Sequence, residues 1–235
     1  YEQSEKIVKM AMTFITSIGT VMIPRNTNEI AKGNIGKVKA NVITSSRLVW
    51  LIGIPMMLGL IVVSRNFVPW FFGEGYDKCS TLMMIFSPLV LFIGFSNVFG
   101  LQYMIPMGYD KKFTASLITG SLINIILNCI FIPIWWSIGA AIASIIAELF
   151  VTLMMIFILR KEIDFKAIIK SSIKYLIAGT IMFSVALTIS YLVPSSIWFT
   201  LLLISVGMAV YVLSLILLKE KYTKIFIHKI FGKSL

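Results

Sequence analysis

Apolar windows of membrane-crossing length follow one another along almost the whole chain, and few features restrict a fold more. A helix needs roughly 20 mainly apolar residues to cross about 30 Å of hydrocarbon. Windows near that length fall at 5–30, 48–64, 82–105, 113–133, 138–159, 173–193 and 197–218. The chain is 58% apolar and 13% charged, with a mean hydropathy of +0.94, whereas soluble domains carry about a quarter charged residues. The expected fold is therefore all-α: a polytopic transmembrane helix bundle of about seven spans. Pro55 and Pro88 lie inside windows and predict kinks. The chain begins at Tyr1, in a polar turn and without a methionine. It carries no signal-peptide pattern and reads as the C-terminal part of a longer protein.

Lys and Arg sort strongly between alternate loops. Seventeen fall on one side: Arg25 to Arg47, Lys111 and Lys112, Arg160 to Lys174, and the tail from Lys219. Arg65 and Lys78 alone fall on the other. Basic loops stay in the cytoplasm, which predicts a cytoplasmic C-terminus and an outer Tyr1 in a plasma-membrane protein. The net charge of +11 is then mostly topological. Spread over separate loops with no aromatic-interleaved face, it does not predict nucleic-acid binding. FKAIIKSSIKY spaces Lys166, Lys170 and Lys174 every four residues, as in a short surface helix on anionic headgroups. The tail KEKYTKIFIHKIFGKSL has the same character, so membrane lipids are expected partners.

Chemistry is sparse. Cys79 and Cys129 are the only cysteines, and His228 is the sole histidine. No disulfide, His-based triad or multi-His metal centre is expected, and no cofactor. The loop acids Glu29, Glu74, Asp77, Asp110, Glu162 and Asp164 are scattered, which argues against a membrane glycosyltransferase or acyltransferase and against an enzyme generally.

The polar residues inside the spans carry more information. Glu2, Lys6, Lys9, Thr13, Thr16 and Thr20 recur at intervals of four and three, one face of a helix. Glu2 with Lys6 and Glu5 with Lys9 form i, i+4 acid–base pairs. Two readings stand. Either the lysines snorkel while the threonines bond to their own helix, or the stripe, Glu5 included, lines an aqueous cavity for an anionic solute. Glu148 lies near the middle of its window and must be protonated, paired or wet; it is the candidate for ion coupling. Asn124 and Asn128, one turn apart and on the face of Ser121, are either packing amides or part of a polar pathway. Asn97 and Gln102 mark the third window. The small residues of SIGAAIAS predict close helix contact.

The run YEQSEKIVKMAMTFITSIGTVMIPR followed by NTNEIAKGN resembles a family pattern in which a helix opens on a tyrosine and polar residues. It ends in a Pro–Arg step and a short cytoplasmic loop. FVPWFFGEGYDKCSTLMMIFSPLVLFIGFSNVFGLQYMIPMGYDKKF is similar to the next signature, a re-entrant-looking outer segment, a helix and a glutamine-containing step into a basic loop. The family is that of bacterial polysaccharide repeat-unit (O-antigen and capsule) flippases in the multidrug/oligosaccharidyl-lipid/polysaccharide superfamily. The resemblance implies a lobe of the multidrug and toxin extrusion type. Residues 1–160 would form most of a second lobe, and 161–235 a basic linker, two extra helices and a tail. It also implies that undecaprenyl-diphosphate-linked oligosaccharides are flipped across the bacterial plasma membrane by alternating access. The partners would be that lipid-linked substrate, an N-terminal lobe of the same protein and, as a further candidate, a polysaccharide polymerase. Lys6, Lys9 and Arg25, with Asn124 and Asn128, are the candidate substrate-binding residues. Glu5, Thr13, Thr16 and Thr20 are candidate cavity lining. An ion-coupled multidrug antiporter is the alternative, for which Glu148 argues and the basic stripe argues against.

Overall fold

The computed structural model describes residues 1–73 and 75–220, which form helices joined by short turns, with no strand among them. The sequence of elements is α1 (Glu2–Ala31), α2 (Ile35–Phe72), α3 (Asp77–Phe86), α4 (Leu89–Ser96), a π-helical segment (Asn97–Met104), α5 (Asp110–Leu159), α6 (Phe165–Leu192) and α7 (Ile197–Leu217). Six stretches are long and apolar enough to cross a membrane. One of these, α5, has 50 residues, about 75 Å at 1.5 Å per residue, more than twice the hydrocarbon thickness. It breaks at Trp136, whose φ of 54° and ψ of −125° are not helical. The two arms, 110–135 and 137–159, are separate passes, so the described residues form seven spans.

Several boundaries differ from those expected. The second span begins not at residue 48 but at Ile35, so Lys37, Lys39 and Arg47 ride on helix rather than loop. At 38 residues α2 outruns the bilayer. Hydropathy detects only its apolar middle. The segment expected to be re-entrant is in part the last turns of α2, whose Phe67, Trp70, Phe71 and Phe72 rings pack together before Gly73 ends the helix at φ 80°. Pro24 does not end α1, which continues to Ala31. FKAIIKSSIKY is not a separate surface helix: it is the start of α6, capped by Asp164 accepting from the Ala167 N–H. The tail from residue 221, with His228, and Glu74 lie outside the described residues.

Proline removes a helical hydrogen bond and frees the carbonyl four residues earlier. In lipid that carbonyl must find another donor. Pro88 frees the carbonyl of Met84, and Ser87 Oγ donates to it at 2.8 Å where α3 gives way to α4. Pro55 frees that of Leu51, and the Tyr211 hydroxyl of α7 donates to it at 3.0 Å.

α2 is the axis of the assembly. α6 and α7 pack against each other and along α2, where Gly179 lets α6 close onto Ile54 and Leu58. At the end opposite the basic loops, Trp70 Nε1 donates to Thr200 Oγ1 at 2.8 Å, and Asn66 Nδ2 donates to the Val193 carbonyl at 3.4 Å. There the Arg65 guanidinium stacks 4.0 Å from the centre of the Tyr191 ring. On the other side of α2, α3, α4 and the π segment form the most buried span. α1 packs on this span from one side and α5 from the other, and a gap opens between them.

Candidate functional site

The gap is a cavity of about 360 Å³ walled by α1, by the α3–α4 span and by both arms of α5. Its polar lining is Glu5, Lys9, Ser121, Asn124, Ser144 and Glu148; Val8, Met12, Phe86, Leu89 and Ile93 are among its apolar lining. Four side chains singled out in the sequence thus converge from three helical segments. On α1 the acid stands four residues before the base, the favourable order for a helical pair, and Lys9 Nζ lies 2.7 Å from Glu5 Oε1. On the first arm of α5, Asn124 Oδ1 accepts from Asn128 Nδ2 at 2.9 Å. Ser121 and Ser144 each donate to a carbonyl of their own helix, which leaves their lone pairs as acceptors.

Gly120 brings the two arms together. A side chain there would collide with Val151, and both residues line the cavity where the arms meet. Across it Glu148 is partly buried, and among the described residues no hydrogen bond or ion pair reaches its carboxylate. One ammonium, two carboxylates, an amide and two hydroxyls therefore face a space bounded by apolar side chains. Such a lining can hold a polar headgroup, with a single cation for an anionic group.

The remaining candidates lie elsewhere. Lys6 pairs with Glu2 at 2.7 Å, both well exposed and neither lining the cavity. Thr13 donates to the Lys9 carbonyl, Thr16 to those of Met12 and Thr13, and Thr20 to that of Ser17. The threonines thus bond to their own helix and do not line this cavity. Asn128 sits one turn beyond the lining, and Arg25 is exposed near the opposite end of α1.

Two buried clusters had little signature in the sequence. Asn41 Nδ2 donates to Asn26 Oδ1 at 2.8 Å, Asn26 Nδ2 to the Gln102 carbonyl at 2.7 Å, and Gln102 Nε2 to Asn97 Oδ1 at 3.3 Å. This amide chain joins α1 and α2 to the π segment, whose irregular turns leave carbonyls for outside donors. Of its members the sequence marks only Asn97 and Gln102, as polar residues of the third window. The other cluster is a carboxylate clasped by two phenols: Glu162 accepts from Tyr103 at 2.8 Å and from Tyr109 at 3.1 Å. That bond, with some burial, raises the Tyr109 phenol above its ordinary range. In the sequence Glu162 was one scattered loop acid among several.

Known proteins share this architecture. The family profile described as lipid II flippase MurJ matches residues 1–213. The chain is 35% identical over 112 residues to a protein of Escherichia coli (strain K12) named "Putative O-antigen transporter", covering 48% of this chain and 27% of that protein. It is 23% identical over 186 residues to the lipid II flippase MurJ of Bacillus subtilis (strain 168), covering 76% of this chain and 34% of that one. A solved structure, lipid II flippase MurJ in an inward closed conformation, superposes with a TM-score of 0.76 at 22% identity, over 97% of this chain and 46% of the solved one. The chain thus spans about a quarter to a third of the length of these curated relatives, and about half of the solved chain. The match over nearly the whole sequence places this multi-pass membrane chain in the lipid II flippase MurJ family, within the multidrug/oligosaccharidyl-lipid/polysaccharide superfamily.

Proposed function

We propose that the chain forms part of a flippase that moves undecaprenyl-diphosphate-linked oligosaccharide repeat units from the cytoplasmic to the outer leaflet of a bacterial plasma membrane, for surface polysaccharide synthesis. The observation that carries this reading is the cavity, in which Lys9, Glu5, Asn124 and Glu148 meet between helices of a flippase-family bundle. The ammonium of Lys9 suits a diphosphate, and the amide and hydroxyls suit sugar hydroxyls. Alternating access would expose such a site to each side in turn. On this reading residues 1–160 line the path and 161–235 flank it, the basic loops and the C-terminus face the cytoplasm, and an N-terminal lobe supplies the opposite wall. Repeat units are favoured over lipid II by the higher identity to the Escherichia coli protein.

The test is complementation by the protein at its natural length. Two hosts are needed, one lacking its own repeat-unit flippase and one depleted of its lipid II flippase. Exposure of labelled lipid-linked repeat units at the outer leaflet of the first host alone is the expected result. Rescue of the second host alone would assign lipid II instead. A second reading, an ion-coupled drug antiporter, is favoured by Glu148, the cavity carboxylate without a cation beside it. Loss of drug resistance in Glu148→Gln, with no lipid-linked sugar moved by the parent, would establish it.

A further inference from the structure

The cavity's cation is already occupied. Lys9 Nζ rests 2.7 Å from Glu5 Oε1, and both side chains line the cavity. Glu148 adds a second carboxylate across the space, so the lining holds two potential anions for one cation. An arriving phosphate group competes with Glu5 for the Lys9 ammonium, whose charge one carboxylate already balances. The pair one turn away makes the contrast clear. Glu2 and Lys6 meet at the same 2.7 Å and neither lines the cavity; the two lysines are equally exposed, at 60% and 62%, and the pairs differ in their acids, Glu2 being 75% and Glu5 32% exposed.

We propose that Glu5 is a specificity-determining competitor for Lys9: it holds the ammonium while the cavity is empty and yields it to the diphosphate of a bound lipid headgroup. The inference rests on the lipid-linked reading above and assigns Glu5 a role within it. Glu5 contributes no contact to the cargo. Its effect is to set a threshold, because an anion must outbid a carboxylate held one helical turn from the ammonium. A diphosphate, with several charged oxygens, can do so where a single carboxylate or a neutral sugar cannot. When the diphosphate leaves, Glu5 recaptures Lys9, and the empty cavity does not retain an unpaired charge at membrane depth.

The experiment uses the purified protein at its natural length in lipid nanodiscs, with farnesyl diphosphate as probe and inorganic diphosphate in a parallel arm. Glu5→Gln removes the competitor while keeping the side chain's shape, and it is expected to bind the probe about tenfold more tightly than the parent, since a charge near the site is removed. Lys9→Gln is expected to lose about as much. In the double variant Glu5→Gln/Lys9→Gln the gain disappears, because Glu5 acts through Lys9. Glu2→Gln leaves the affinity unchanged. Tighter binding of farnesyl diphosphate than of inorganic diphosphate assigns the anion to a lipid headgroup, and equal binding overturns that assignment; the Glu5→Gln result alone decides whether Glu5 competes. If the parent binds farnesyl diphosphate but Glu5→Gln does not tighten it, or tightens it equally without Lys9, the competitor role is wrong and the flippase reading survives. If the parent binds neither probe, both fail together.

Discussion

The α2–α6–α7 block and the α5 hairpin contain similar side chains and use them in opposite ways. In the block, polar groups reach across the bundle: Tyr211 to the Leu51 carbonyl, Trp70 to Thr200, Asn66 to the Val193 carbonyl. In the hairpin they mostly stay on their own arm, as with Asn128 to Asn124 and Ser144 to the Ala140 carbonyl, while Thr152 reaches the Phe92 carbonyl of α4 at 3.0 Å. Apolar association gains little inside a bilayer, so long-range hydrogen bonds and close packing decide which helices move together. The block is built to stay together. The hairpin is held to the α3–α4 span by packing, with Val151 and Met155 in the shared core, and by few hydrogen bonds, of which Thr152 to the Phe92 carbonyl is one.

Four measurements bear on that contrast. The largest effect belongs to the seam of the block. Gly179→Leu drives a side chain into Ile54 of α2 and is expected to destabilise the protein by about 3 kcal/mol, read as a lower midpoint of thermal unfolding in detergent. A wild-type midpoint would mean that α6 is not seated on α2. Next, Tyr211→Phe leaves the carbonyl freed by Pro55 without its donor and should cost about 2 kcal/mol. The double variant Tyr211→Phe/Pro55→Ala should recover much of that loss, because the helix then satisfies its own carbonyl.

Thr152→Val removes the hydroxyl that links the hairpin to α4 and should cost only about 0.6 kcal/mol, typical of a hydrogen bond between membrane helices. A loss as large as that of Tyr211→Phe would erase the distinction between the two regions. The smallest effect concerns the clasp around Glu162. Its bond raises the Tyr109 phenol above the ordinary value, so the contribution is fully present below about pH 10, the unfolded value. It is lost as pH rises through the folded value. Thermal stability of the parent should therefore fall more steeply above pH 10 than that of Tyr109→Phe. Parallel curves would show that the phenol contributes nothing.

The spans were legible because hydropathy reports on lipid, and all seven have counterparts in the bundle. The length of α2 was not legible, because a helix that continues past the membrane surface changes its solvent without changing its backbone. Nor was the π segment, whose wider turns have no signature in hydropathy. At the site, Lys9, Glu5, Asn124 and Glu148 stood out individually as polar groups at apolar depth. Their convergence depends on how α5 folds back at Trp136, a tertiary event. Asn26 lay at the polar end of the first window and Asn41 in an expected loop, so nothing marked them as the link between α1, α2 and the third span.

The partnership of Tyr211 with the Leu51 carbonyl also sets an order of events during synthesis. The two residues are 160 positions apart, and a ribosome adding about 5–20 residues per second needs on the order of 10–30 s to travel between them. Throughout that interval the second span has left the ribosome with its proline defect unanswered. The Tyr211 hydroxyl can close that defect only once α7 has been made.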